Sequence, residues 1–153
     1  MITIKNNIKK IKINKKKIKK LVTHILKFLK YEDFDIGIWF TTNATIKKYN
    51  KNYRKKDKAT DILSFPFHTQ LKAGEKITIH SPDGKNLGDI IISLEYAKKD
   101  ALHAKRPFYE HLKILLVHGI CHLLGYDHKT DEDFKKMQAK ETSILKKLGQ
   151  LKF

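Results

Sequence analysis

The chain has 153 residues, 41% of them apolar, which suits a single folded domain over 1–153 and excludes a disordered chain. Its net charge of +17 favours a polyanionic partner such as nucleic acid, but only two of its 33 basic residues are arginines, and a solvated lysine surface explains the charge equally well. With one cysteine and no long apolar run at the N-terminus, we expect a cytoplasmic protein without disulfide, signal peptide or membrane span.

The first third of the chain predicts strands that alternate with helices. Apolar residues alternate with lysines at the N-terminus, apolar positions then repeat at helical spacing, and a β-branched and aromatic run follows. The expected elements are a strand near Met1–Lys5 or Lys9–Ile13, a helix from an Asn14 N-cap to about Lys30, a strand at Ile36–Thr42, and a short helix from Thr42 or Asn43 to about Tyr53.

The middle of the chain predicts two further strands. Thr60–Phe67 has strand composition, and Pro66 either ends that strand or places it at a sheet edge. The polar stretch Thr69–Asn86 contains a Ser-Pro-Asp-Gly turn signal. Ile77–Ile79 within it is interpreted as one arm of a hairpin, with Leu87–Ser93 as the returning arm.

Three helices complete the prediction: Leu94–Lys105, Pro107 to about Leu124, and Thr130 or Asp131 to about Leu148. The second is apolar almost all round, which is typical of a buried helix. The residues of the last helix expected to face inward are Phe134, Met137, Ile144, Leu145 and Leu148. The predicted fold is therefore α+β, a small mixed sheet packed with about five helices.

A metal site is predicted on the buried helix and the turn after it. His118 and His122 lie four residues apart, so they share one face of that helix. Gly125 can adopt the left-handed conformation that ends a helix, which allows the chain to bring His128 toward the other two. Three imidazoles leave a tetrahedral Zn²⁺ one open position, as in catalytic zinc sites.

The residues around these histidines limit which reaction and which further metal ligands are expected. Gly119 stands where the H-E-x-x-H peptidase motif has its glutamate, so a peptidase or other hydrolase of that type is disfavoured. Cys121 projects to another side of the helix and is interpreted as a small core residue. His111 lies two turns before His118, too far for the same ion. Asp127, next to His128, either orients a ligand, faces the substrate or is a turn residue.

Three blocks of sequence resemble the YbeY family of bacterial endoribonucleases, also described as rRNA maturation factors. They are Asn52–Pro66, Leu87–Ile90 and His118–His128, in the family's order, although Ala59 and Cys121 depart from its usual residues. The resemblance implies zinc on the three histidines and cleavage of single-stranded RNA. It further implies maturation of the 16S rRNA 3′ end and ribosome quality control, with the small ribosomal subunit as partner.

Both the family resemblance and side-chain chemistry indicate a functional role for Arg54. The family's functionally important arginine matches Arg54, and a guanidinium can bind a phosphate through two hydrogen bonds. Its structural alternative is a surface salt bridge with Asp57 or Asp61. The leading hypothesis is an endoribonuclease in which Arg54 and His118 are catalytic and a zinc-activated water attacks. The alternative is a ribosome-assembly or RNA-binding factor whose zinc is structural.

Overall fold

The computed structural model describes residues 1–149, which contain four strands and five helices of more than one turn. Every predicted element of this size is present, apart from the hairpin arm discussed below. In chain order they are β1 (Ile2–Asn6), α1 (Lys15–Leu29), β2 (Asp35–Thr41), α2 (Asn43–Arg54), β3 (Ile62–Pro66), β4 (Asn86–Ser93), α3 (Leu94–His103), α4 (Phe108–Leu123) and α5 (Asp131–Leu148).

The strands form one mixed sheet in the order β1-β2-β4-β3. β2 pairs in parallel with β1 and β4, and β3 runs antiparallel to β4 at the edge, with Pro66 opposite Gly88. Pro66 is tolerated because an edge strand does not need every ladder hydrogen bond. The α+β class with a mixed sheet is confirmed.

Helix starts follow the predicted capping chemistry. The side chains of Asn14, Thr42 and Thr130 each accept a hydrogen bond from the backbone N–H three residues later, at 3.1, 3.2 and 3.1 Å. Each cap satisfies one of the donors left free at a helix N-terminus. Pro107 is the N-cap residue of α4, one position before its first turn.

The main core lies on one face of the sheet. Alternate strand residues such as Ile38, Phe40 and Ile92 point to this face and are buried against α1, α4 and α5. The opposite face holds a smaller cluster of Ile46, Leu63 and Ile91 beneath α2. α4 is therefore packed against the sheet and against α1 and α5.

Two expectations about packing are wrong. Ile77–Ile79 is not a strand, and β4 takes β3 as its antiparallel partner instead; the backbone N–H of Ile77 donates to the Tyr31 hydroxyl at 3.2 Å. Phe134, expected to face inward, is 52% exposed in the first turn of α5. Met137, Ile144 and Leu148 do form the buried face of α5. No helix in residues 1–149 is both long and apolar enough to cross a membrane.

Candidate metal centre

The last two turns of α4 bring two histidines together. His118 and His122 project from one face of the helix, and their Nε2 atoms are 3.1 Å apart. Both side chains are half-buried. Helical periodicity alone produces this pairing, since residues four apart lie one above the other.

The turn after α4 adds the third histidine. Gly125 has φ +91°, and the backbone N–H of Tyr126 donates back to the Cys121 carbonyl at 3.1 Å, which reverses the chain. His128 then lies near both helical histidines, with ring centroids 5.2 Å from His122 and 6.0 Å from His118. One ring nitrogen from each residue falls within 4.8 Å of the others.

The outer ring nitrogens have acceptors that fix their protonation. His118 Nδ1 donates to Glu141 Oε2 on α5 at 3.1 Å, and His122 Nδ1 donates to the Tyr126 carbonyl at 2.9 Å. With Nδ1 protonated, a neutral imidazole presents a lone pair at Nε2. The two Nε2 lone pairs therefore face each other, an arrangement that a cation between them would stabilise.

Burial favours the neutral, ligating form of His122. Desolvation, followed by the nearby His118, lowers the pKa of His122 to about 4. A neutral imidazole is the form that binds a metal. Burial also raises the pKa of Cys121 to about 12, so this thiol stays protonated and is a core residue, as predicted.

The residues present fit zinc. A tetrahedral zinc with Zn–N bonds of about 2.0–2.1 Å has its ligand nitrogens roughly 3.3 Å apart, close to the 3.1 Å between the two Nε2 atoms. A histidine that donates its other N–H to a carboxylate or carbonyl is the usual arrangement around such ions. These three histidines are the only cluster of potential metal ligands in the part of the chain that the structure describes.

Arg54 shares an open cleft of about 550 Å³ with the three histidines. It is the last residue of α2, and its side chain is exposed. Among the described residues it forms no ion pair; Asp57 lies instead 3.9 and 4.0 Å from Lys47 and Lys51. The salt bridge considered from the sequence is therefore not formed, and the guanidinium is free for another anion.

Other cleft residues have local partners. Asp127 lines the cleft, and its Oδ1 accepts from the backbone N–H of His128 at 2.7 Å, as a turn residue does. Asp61 accepts from the Ile62 N–H at 2.8 Å and the Thr60 hydroxyl at 3.3 Å. His111 is outside the cluster, and its Nδ1 contacts Arg106 at 3.0 Å.

Gly119 is explained by packing. A Cβ at this position would lie 2.9 Å from Ile62 Cδ1 and 3.0 Å from Ile90 Cδ1. The residue after His118 therefore faces β3 and β4 at close range, beside the Ile62 side chain. A glutamate there would have to displace the ends of both isoleucine side chains, so the packing disfavours the peptidase arrangement at this helix position.

Two residues near the centre were not singled out from the sequence. Glu141 comes from a different helix, 23 residues from His118, and no local spacing marks it among the other charged residues of α5. His68 lines the cleft and donates from Nε2 to the Gly84 carbonyl at 2.8 Å. Its position depends on the 67–85 connection, whose path has no periodic signal.

Fold and site together define an α+β protein with a histidine triad in an open cleft, the type of site found in metal-dependent hydrolases. The chain belongs to the endoribonuclease YbeY family, whose model, described as "Endoribonuclease YbeY", matches residues 3–149. The resemblance stated from the sequence is confirmed.

Relatives of the same description cover nearly the whole chain. The human "Endoribonuclease YbeY" is 35% identical over 97% of this chain and 88% of its own length. The relative from Aquifex aeolicus is 40% identical over 93% of this chain and 89% of its own length. A solution structure of a Thermotoga maritima protein has TM-score 0.58 and 22% identity, covering 98% of this chain and 93% of that one, and it supports the fold.

Proposed function

We propose that this protein is a metal-dependent endoribonuclease that cuts single-stranded RNA, with one functional unit over the whole chain. The observation that carries the proposal is the position of Arg54 in the same cleft as three histidines whose free ring nitrogens converge. Family membership supports RNA as the substrate, since the relatives are named endoribonucleases.

His118, His122 and His128 would hold the ion, and three imidazole nitrogens with an open fourth position fit zinc. When bound, zinc acts as a Lewis acid and makes hydroxide available near neutral pH. The protein's own contribution is to fix these rings: Glu141 and the Tyr126 carbonyl hold the Nδ1 protons of His118 and His122. Each ring then keeps its lone pair directed into the cleft.

Arg54 is proposed to bind the phosphate at the cleaved bond. Its planar guanidinium offers paired donors that match two phosphate oxygens, and its fixed charge stabilises the additional negative charge of the transition state. Lys55 and Lys56 follow it directly and are exposed, so they can add salt-sensitive attraction for the RNA backbone. Asp127 is proposed as a minor substrate contact at the cleft wall.

The biological setting is proposed from the family. We infer that the RNA is ribosomal, that the 3′ end of 16S rRNA is the site of maturation, and that the small subunit and ribosome quality control are involved. This reaction is placed in the cytoplasm, where the unpaired Cys121 thiol would remain reduced.

The test is cleavage of a labelled single-stranded RNA by zinc-loaded protein. We expect His118→Ala to lose activity and Arg54→Ala to lose roughly 10²–10³-fold in kcat/KM, the effect of removing a transition-state donor. Arg54→Lys should recover only part of it, because it restores charge without the paired donors. Lys48→Ala, an exposed change on the same helix, is the matched control. Equal rates in all variants would refute the proposal.

A further inference from the structure

The densest positive charge in the chain lies outside the cleft. Eight of the twelve residues from 9 to 20 are lysines, and the first acidic residue is Glu32. We call this set the lysine cluster: Lys9, Lys10, Lys12, Lys15, Lys16, Lys17, Lys19 and Lys20. All except Lys17 are exposed, and none of the eight forms an ion pair with any described carboxylate.

The lysine cluster has a fixed place on the fold. Asn14 caps α1, and its backbone N–H donates to the Tyr109 hydroxyl at 3.0 Å; Lys17 Nζ lies 4.3 Å from the centre of the Tyr109 ring. These contacts dock the cluster on the first turn of α4. Ile18, Leu21 and Val22 bury the opposite side of α1 in the core, which keeps the exposed lysines directed outward.

This place is remote from the metal centre. His118 and His122 follow Tyr109 by nine and thirteen residues on the same helix, which is roughly 14–20 Å along the axis at 1.5 Å per residue. Arg54 belongs to the cleft at the other end of α4. The cluster therefore adds a second basic surface and does not extend the rim of the first.

Like charges at this density repel one another in the free protein. A polyanion that neutralises them relieves the repulsion and gains entropy, because the counterions condensed on its phosphates are released. The surface also lacks the apolar side chains that anchor an amphipathic helix in a lipid layer. No large exposed apolar side chain lies in residues 9–20, so nothing there would enter a lipid layer.

We propose that the lysine cluster binds the sugar-phosphate backbone of RNA beyond the segment held at the metal centre. The choice of RNA as the polyanion rests on the proposed function. The cluster has no exposed aromatic ring on which bases would stack, so it recognises phosphate charge and not sequence. A long or structured RNA would contact both surfaces, whereas a short oligonucleotide in the cleft would contact one.

The test compares two triple variants that each remove three exposed lysines. Lys10→Gln/Lys16→Gln/Lys20→Gln changes the cluster, and Lys48→Gln/Lys98→Gln/Lys99→Gln changes α2 and α3, so both lower the net charge equally. Binding of a hairpin RNA with a single-stranded extension is measured between 50 and 200 mM salt. Each lost phosphate contact should reduce the salt slope by about one, so the cluster variant should lose roughly two to three units of slope and bind at least about tenfold more weakly.

The outcomes separate this inference from the proposed function. Cleavage of a single-stranded hexanucleotide should be the same in the wild type and both triple variants, because the cluster lies outside the cleft. Equal slopes in the two variants would overturn the inference, and so would stronger retention by anionic vesicles than by the hairpin. If no RNA is cleaved but the cluster variant alone loses slope, the inference holds and the proposed function fails.

Discussion

At the scale of single residues, the metal centre depends on which nitrogen of each imidazole carries the proton. The acceptors at Nδ1 of His118 and His122 turn two adjacent rings into donors of lone pairs toward one point. Without these acceptors, either ring could rotate or change tautomer, and the two Nε2 atoms could share a proton instead of an ion. Glu141 is therefore proposed as a positioning residue for the metal.

Glu141→Gln should weaken zinc binding by roughly 10–100-fold, the usual effect of removing a carboxylate behind a ligating histidine. The amide keeps the shape of the side chain but is a weaker acceptor for the Nδ1 proton. Affinity is measured by competition with a zinc-binding dye, independently of any activity. Glu132→Gln, an exposed glutamate in the first turn of α5, is the control and should bind zinc as the wild type does. If both variants keep full affinity, Glu141 has no role in positioning.

The sequence predicted the three histidines but not Glu141, the acceptor that orients His118, because the two depend on different kinds of information. The pairing of His118 and His122 follows from helical periodicity, which spacing reveals directly. Glu141 reaches His118 only because α5 packs against α4, and the register of that packing is not encoded in either helix alone. Arg54 was recognised from a family block and from its chemistry, since no spacing relates it to histidines 64 to 74 positions later.

At the scale of elements, the turn after α4 determines where His128 lies. Gly125 combines a positive φ with close contact: a Cβ there would be 2.3 Å from the Leu71 carbonyl oxygen. The 67–85 connection is thus packed directly on this turn. A side chain at position 125 would push the connection or the turn away, and both line the cleft.

Gly125→Ala should destabilise the protein by about 3–4 kcal/mol, of which about 1–2 kcal/mol is the cost of a left-handed alanine and the remainder is crowding. Gly74→Ala is the matched control, since Gly74 has φ +87° but nothing within 4 Å of its would-be Cβ. Gly74→Ala should lose only the about 1–2 kcal/mol that a left-handed alanine costs. Unfolding in urea measures both, and zinc titration should show weaker binding for Gly125→Ala alone. Equal losses would show that crowding at Leu71 is unimportant.

The hairpin arm predicted at Ile77–Ile79 is absent because strand pairing depends on more than the apolar pattern. Alternating isoleucines at positions 77 and 79 pack against the core just as strand residues would, so the pattern is the same with or without a hydrogen-bonded neighbour. What differs is the backbone partner: the Ile77 N–H donates to a tyrosine hydroxyl, and β4 is already paired on both sides by β2 and β3. Hydrogen-bond partners distant in sequence are the part that pattern alone does not specify.

At the scale of the whole molecule, the fold and the metal centre are held by different interactions. One continuous apolar cluster joins the sheet with α1, α4 and α5, and it includes Phe40, Ile92 and Leu116 at zero exposure. The histidines lie at its margin, half-buried or exposed. A small domain that needs zinc to fold lacks such a core, so a core of this size argues against folding that depends on a metal.

Removal of the metal should therefore lower stability without unfolding the chain. At a zinc concentration one hundred times its Kd, binding adds about 2.7 kcal/mol, which for a chain of this size raises Tm by roughly 5–10 °C. Chelator should remove that increment and leave a single cooperative melt, and His122→Ala should melt at the same temperature with or without zinc. If the chelated wild type is already unfolded at 25 °C and shows no cooperative melt on heating, a structural zinc is favoured instead. The apolar cluster argues against that result, because none of the three histidines is among its buried residues.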